Sequence, residues 1–382
     1  MHIPQVGIDR PRWVTEPTVV LRGLVVVFLL YVFLVGIGFL ESGITAMGEG
    51  FENGLLESVS HPLAGLFAGI LATVLVQSSS ITTATIVGLV GTGTLPVPLA
   101  VPMIMGANIG TTVTNTLAAL TTILRSDEFR RGFACATHHD FFNLMAAAII
   151  LPIELATGFL HRIAAWMTVI VGRVDLETAT PARSPIRVAV GVPVDLMEGV
   201  LGIGVVAGVI YLVLGLTLLF FALTFITRTM RGLMAGGMEK ALNQIIERGG
   251  SLLGIVAGIL ITVAVQSSSI TTSILVPLVA SGVLHLTNAY PITVGANVGT
   301  TVTALIASLA VARPEGLTIA LVHLLFNISA ITIIFPVYRV RMLPIYMSEW
   351  FADLAVRRHS LVFAYVVGVF FVIPILGVLL LK

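Results

Sequence analysis

The sequence predicts an all-α polytopic membrane protein with two inverted-topology repeats, each with a re-entrant helical hairpin and a broken transmembrane helix. Three observations predict it. The 382-residue chain is 57% hydrophobic and only 10% charged, where soluble domains carry about a quarter charged residues, and its mean hydropathy is +1.05. Several apolar runs are long enough to cross a bilayer, which takes roughly 20 residues. And the stretch VQSSSITT occurs twice, at 76–83 and 265–272.

In chain order, 1–17 reads as an N-terminal cytoplasmic tail, 18–162 as the first repeat, 163–198 as a connection, and 199–382 as the second repeat with a C-terminal span. The clearest spans are 24–40, 133–160, 199–226, 317–337 and 361–381. Glu41 and Ser42 follow the first of them without a small-residue cleavage pattern, so it reads as a span and not a signal peptide. Residues 47–62, with Glu49, Glu52 and Glu57, read as a surface amphipathic segment. Trp13, Trp166 and Trp350 stand near span ends, where indole rings anchor at the interface. The single cysteine, Cys135, allows no intrachain disulfide and builds no metal site alone. A net charge of +1 gives no sign of a nucleic-acid partner.

The duplication is extensive. Residues 65–83 and 254–272 are identical at 15 of 19 positions, and GANIGTTVT (106–114) recurs as GANVGTTVT (295–303) at the same offset of 189. A weaker echo, HDFFN (139–143) and HLLFN (323–327), follows at an offset of 184. The loops expected at equivalent places, RSDEFRR (125–131) and ARPEG (312–316), carry three arginines and one. Basic short loops favour the cytoplasm, so the first reads as inside and the second as outside. That inverts the repeats, an arrangement typical of transporters whose site lies at the repeat interface.

No Asp, Glu, Lys or Arg occurs in 58–124 or in 249–312. Each stretch is too long for one span, and each is interrupted by its polar run and by prolines and glycines, which predicts the hairpin and the broken helix. Where a helix restarts in the membrane, free backbone N–H groups and the positive dipole end attract anions. Ser and Thr hydroxyls can donate to an oxyanion. The same hydroxyls, with the Gln77 and Asn108 amides, can accept a small hard cation. If the substrate is an anion, these stretches supply no countercharge, and an uncompensated anion in a low-dielectric site is costly. Co-bound cations would supply the charge, and a neutral, oxygen-rich lining suits Na+.

The duplicated QSSS, GANIGTTVTNT (106–116) and EFRRGFACATHHDFFN (128–143) resemble the type II sodium-dependent phosphate cotransporters, over roughly residues 20–335. The resemblance implies cytoplasmic termini and Na+-coupled uptake of inorganic phosphate by alternating access, in a plasma membrane. It implies that Gln77, Ser78, Ser79 and Ser80 pair with Gln266, Ser267, Ser268 and Ser269 as the phosphate site. It further implies Na+ ligands among Ser80, Asn108, Thr111, Thr112, Ser269, Asn297, Thr300, Thr301 and Thr303, and no organic cofactor. Animal members carry a large disulfide-bonded loop between the repeats, whereas 171–199 here is short and free of cysteine, as in a prokaryotic member. Some members also carry an acid just before EFRR that bears on electrogenicity, where this chain reads Leu124-Arg125-Ser126.

Plainer readings stand beside these. Ser and Thr in membrane helices often only pack or bond across an interface. Gly106, Gly110, Gly295 and Gly299 suit close helix packing as well as ligand duty. His139 has a repeat counterpart in His323, which favours an interhelical hydrogen bond, while His138 and Asp140 have none. A membrane hydrolase would need a base beside its serine, and neither QSSS centre holds a His, Asp or Lys, nor does the chain hold a GxSxG elbow. An anion channel would more often carry Arg or Lys rings. A Na+-coupled carrier of another small oxyanion is the nearest alternative.

Overall fold

The computed structural model describes the backbone of residues 16–176, 185–248 and 250–381, and their side chains except at 16–19, 49, 51, 52, 55, 58, 172–176 and 232–248. Residues 1–15 of the expected tail, Trp13 included, lie outside the described residues. All regular structure among the described residues is helical, the state in which a segment satisfies its own backbone in lipid. Six helices are long and apolar enough to span: Val20–Met47, Val97–Thr122, Ser126–Thr157, Val205–Arg231, Glu315–Ile334 and Ser360–Leu381. Five of them coincide with the expected runs.

The first repeat opens with α1 (Glu16–Met47) and the short surface helix α2 (Glu49–Ser58). The hairpin follows as α3 (Pro62–Val76) and α4 (Ser79–Thr92), 15 and 14 residues, each too short for a full crossing. Next come α5 (Val97–Gly110), α6 (Val113–Ala119) and the long α7 (Ser126–Thr157). Helices α8 (Phe159–Leu176) and α9 (Pro185–Leu201) occupy much of the expected connection. The second repeat runs from α10 (Val205–Arg248) through the hairpin α11 (Ser251–Val265) and α12 (Ser268–Ala280) to α13 (Leu286–Ser308) and α14 (Glu315–Ile334). It closes with α15 (Tyr338–Arg357) and the C-terminal helix α16 (Ser360–Val367) and α17 (Ile373–Leu381), joined by a π-helical turn at Gly368–Val372.

Two expectations need correction. The broken helix exists only in the first repeat, where α5 gives way to α6 at Thr111 and Thr112. Both residues keep right-handed backbone (φ −60°, ψ −30°; φ −77°, ψ −20°), so the interruption is a tightened turn. Its counterpart α13 runs unbroken through Thr300 and Thr301 despite Pro291. Pro291, the sixth residue of α13, removes one intrahelical hydrogen bond without ending the helix. The RSDEFRR run is likewise not a loop. It opens α7, with Asp127 and Glu128 in the first turn, where the helix dipole favours acids.

Glycine decides the packing. In the first repeat α3 and α5 lie side by side in parallel: a Cβ at Gly69 would strike the Met103 carbonyl, and one at Gly106 the Leu66 carbonyl. The second repeat matches, with Gly258 against Ile292 and Gly295 against Ile255 in α11 and α13. The GANxGTT glycines are therefore packing residues that let two backbones touch. The first helices of the two repeats, α1 and α10, cross antiparallel on the same device: Gly36 meets Gly215, and Gly43 meets Gly208.

Arginines tie each hairpin to the other repeat. Arg131 Nε donates to the Ala280 carbonyl at the end of α12, 2.8 Å away. The Arg313 guanidinium lies against Gly93 at the end of α4. Both are cations at helix C-termini, where the dipole favours them. Arg130 pairs with Asp353 on α15, and that contact holds the Asp353 carboxyl below its ordinary range. Trp166 and Trp350 are exposed, as interface anchors must be.

Gly69→Ala and Gly258→Ala each force a methyl into a neighbouring carbonyl and should cost about 1–3 kcal/mol, whereas Gly23→Ala, with open space around it, should be harmless. Thermal unfolding of the detergent-purified variants checks this; equal melting temperatures for all three would contradict the close approach.

Candidate functional site

Each QSSS is a turn between two short helices, and the two turns have the same backbone. Gln77 (φ 56°, ψ 27°) ends α3 and Gln266 (φ 57°, ψ 27°) ends α11, both left-handed. They are the only described non-glycine residues with positive φ. A side chain there is strained by about 1–2 kcal/mol, so glutamine rather than glycine is kept for what its amide does. Gln77 Nε2 donates to the Val74 carbonyl and Gln266 Nε2 to the Val263 carbonyl, both at 2.6 Å. The side-chain oxygens accept from Thr114 (3.3 Å) and Thr303 (3.0 Å), residues equivalent under the 189 offset. The amide thus folds back onto its own helix and is clipped to the neighbouring one.

The next residue caps the second helix. Ser78 Oγ accepts the Ile81 amide at 3.3 Å, and Ser267 Oγ the Ile270 amide at 3.4 Å. Ser79 with Ser80, and Ser268 with Ser269, then form the first helical turns, whose N–H groups have no preceding carbonyl to meet. Ser79, Ser80 and Ser268 are buried, and Ser269 is half-buried. Two helix N-termini with serine hydroxyls at their mouths can donate to an oxyanion. The turns differ in access: Gln77 is exposed and Gln266 half-buried.

The helices do not bring the two turns together by packing α4 along α12. Each packs into the opposite repeat instead, α4 against α13 and α14, and α12 against α6 and α7. A buried amide network joins the two repeats. His139 Nε2 donates to Asn297 Oδ1 at 2.7 Å, and Asn297 Nδ2 donates to Asn143 Oδ1 at 2.7 Å. In mirror fashion His323 Nε2 donates to Asn108 Oδ1 and Asn108 Nδ2 to Asn327 Oδ1, both at 3.3 Å. Each repeat's GAN asparagine is thereby gripped by the other repeat's H…N pair. Asn143 Nδ2 closes the two halves on the Asn108 carbonyl at 2.9 Å. Asn115 extends the network to α12: it donates to His139 Nδ1 (3.4 Å) and accepts from Thr272 (2.9 Å) and Ser273 (3.1 Å). These bonds fix His139 as the neutral Nε2–H tautomer.

The expected cation ligands are therefore in varied states. Asn108 and Asn297 have both ends of their amides committed across the repeat interface. Thr111, Thr112, Thr300 and Thr301 are buried and donate to carbonyls one turn back, which leaves oxygen lone pairs free. Thr303 holds Gln266. The sequence reading passed over Thr114, Asn115, Asn143, Asn327 and Thr272. Applying the 189 offset to Thr303 would have found Thr114, and the H…N spacing of the echo contained Asn143 and Asn327. Among the described residues no Lys or Arg is buried, and none of His, Cys, Asp and Glu gather in a group that would hold a transition metal. A cleft of 540 Å³ lies elsewhere, between α1 and α9 beside Glu41 and Arg187.

A helical, multi-pass membrane protein built on a duplicated unit, with paired helix-start turns and a neutral polar centre, is the class that fold and site define. The family described as Na+/Pi-cotransporter matches residues 32–175 and 218–343, and the chain belongs to it. It is 31% identical to "Sodium-dependent phosphate transport protein 2A" of Ovis aries over 90% of this chain and 65% of that one. The rat 2A protein is 32% identical with the same coverages, and human "Sodium-dependent phosphate transport protein 2B" is 30% identical over 93% of this chain and 64% of that one. The chain thus spans just under two-thirds of the length of these relatives. No solved structure matches it.

Asn297→Leu leaves His139 and Asn143 without their partners in a dry interior, which should cost about 1–3 kcal/mol for each stranded group. The melting temperature of the purified variant should fall well below wild type; an unchanged value would mean the cross-repeat grip carries no stability.

Proposed function

We propose that the chain carries inorganic phosphate across the membrane together with Na+, as a symporter working by alternating access. The observation that carries this reading is the pair of QSSS turns: the same strained backbone twice, each opening a helix with serine donors, with no Lys or Arg buried among the described residues. The family and the names of the relatives supply the substrate. Gln77, Ser78, Ser79 and Ser80 with Gln266, Ser267, Ser268 and Ser269 bind phosphate. Na+ is held by oxygen lone pairs at Ser80, Ser269, Thr111, Thr112, Thr300, Thr301 and Thr303, and at Asn108 and Asn297 once their cross-repeat bonds open. The cations neutralise an anion that the protein leaves uncompensated, which makes coupling obligatory.

The inverted relation of the repeats, bounded at 18–162 and 199–382, is part of this proposal. It is supported by the antiparallel crossing of α1 and α10, which open the two repeats. Rocking of one repeat's elements against the other would pass the site from side to side. Both termini are assigned to the cytoplasm of a prokaryotic cell, and no catalytic step is invoked.

Purified protein in liposomes should accumulate radiolabelled phosphate under an inward Na+ gradient and not under a matched K+ gradient, with arsenate competing. Ser79→Ala and Ser268→Ala should abolish that uptake while the protein remains folded and inserted. Full uptake by both variants would sink the site assignment; absent wild-type uptake that returns with another oxyanion would replace the substrate.

A further inference from the structure

We propose that the pocket between the starts of α11, α13 and α15 binds a phosphate group, either free or as the headgroup of a lipid. The cavity has a volume of 290 Å³. Ser251, Asn288, Tyr290 and Arg341 supply its polar lining, and no described Asp or Glu faces it. It is distinct from the QSSS turns: the full 15 residues of α11 lie between Ser251 and Gln266, about 22 Å of helix.

The charge and the donors point to an anion. Arg341 is half-buried and makes no ion pair among the described residues. Its guanidinium stands 5.6 Å from the ring centre of Phe335 and 5.3 Å from that of Tyr338, contacts that hold the planar group in place. One of its N–H groups reaches Ser251 Oγ at 3.4 Å, which leaves the other donors of the fork and the serine proton for a ligand. Ser251 is also the first residue of α11, a helix that begins at Gly250 without a side-chain cap. The first backbone N–H groups of α11 therefore meet no carbonyl and open toward the same space. Arginine in fork geometry beside a helix start is a phosphate-binding combination.

An orphaned hydroxyl marks the inner wall. Tyr290 is 2% exposed, its ring wedged against His138, Phe142 and Phe335. Its hydroxyl has no hydrogen-bond partner, although the ring lines the pocket and the Arg341 charge acts on that oxygen. A buried phenol ordinarily finds a partner, as Tyr211 does in the Gly202 carbonyl at 2.8 Å. An oxyanion held by Arg341 and the α11 start supplies the missing acceptor.

The other repeat lacks every polar element of this pocket. Under the 189 offset Ser251, Asn288 and Tyr290 correspond to Pro62, Leu99 and Val101. The start of α3 is closed by His61, whose Nδ1 accepts the Leu63 amide at 3.2 Å. The pocket thus belongs to one face only. Arg131, near the start of α7, bonds the end of α12, which leads directly into α13. That places the pocket on the arginine-rich face that the loop charges assign to the cytoplasm. A ligand seated there ties the entry of the second hairpin to α15.

Two binding measurements on the full-length protein in detergent test the pocket and separate its ligands. Radiolabelled inorganic phosphate is titrated in Na+-free, K+ buffer, and native mass spectrometry counts adducts with added phosphatidic acid against added phosphatidylcholine. Wild type should bind in at least one of them: phosphate alone identifies a soluble anion, and phosphatidic acid in preference to phosphatidylcholine identifies a headgroup. Arg341→Gln should weaken that binding about tenfold or more. Tyr290→Phe, which keeps the ring and its packing, should weaken it about twofold to tenfold. No binding by wild type in either measurement would overturn the proposal, as would equal binding by wild type and Arg341→Gln. Should Arg341→Gln fail to fold, unchanged affinity in Tyr290→Phe would overturn it. Because Na+ is absent throughout, binding that depends on Arg341 upholds the pocket even if Na+-driven phosphate uptake fails.

Discussion

The grip of each repeat's H…N pair on the other repeat's GAN asparagine is the interaction on which the remaining architecture depends. It lies where six helices converge, in a protein whose packing elsewhere is largely apolar or glycine against backbone. Lipid gives no hydrophobic reason for one membrane helix to prefer another, so a directional polar contact has unusual authority over register. Four amides and two imidazoles, each bonded to a group more than a hundred residues away or to a neighbouring carbonyl, leave few alternative ways to dock the halves.

That centre is polar yet carries no balanced charge. A site made of helix starts, hydroxyls and amides, as proposed here, favours an anion and a cation together over either alone, because each offsets the other's charge. The design differs from an arginine-lined phosphate site, where the protein's own cation would hold the ligand whether or not sodium were present. In the proposed symport, neutrality is what links the fluxes: an oxyanion bound there must bring its compensation with it.

Much of this was legible in the sequence, for a specific reason. Duplication made every inference double: Gln77 and Gln266, read as equivalent, have φ values of 56° and 57°, and the capping serines follow suit. Apolar length alone located five of the spans. The left-handed glutamines themselves were not legible, because that conformation favours glycine or asparagine and nothing in QSSS announces it. The cross-repeat bonds were hidden too, since they join residues 154 to 219 apart in positions set only by tertiary packing. The expected second break was misjudged because the two repeats are alike in sequence at GANxGTT and only tertiary packing separates the interrupted α5–α6 from the continuous α13.

The arginine clamps have a mechanical meaning. Each hairpin is fastened at its tip to its own repeat, through Gln77 to Thr114 or Gln266 to Thr303, and at its far end to the opposite repeat, through Arg313 or Arg131. The hairpin is therefore a strut between two bodies and not an appendage of one. Any displacement of the bodies puts it under load, and the compliant point along its length is the strained glutamine turn, where the serines are. Force applied at the protein's periphery is delivered to the turn proposed to bind the anion.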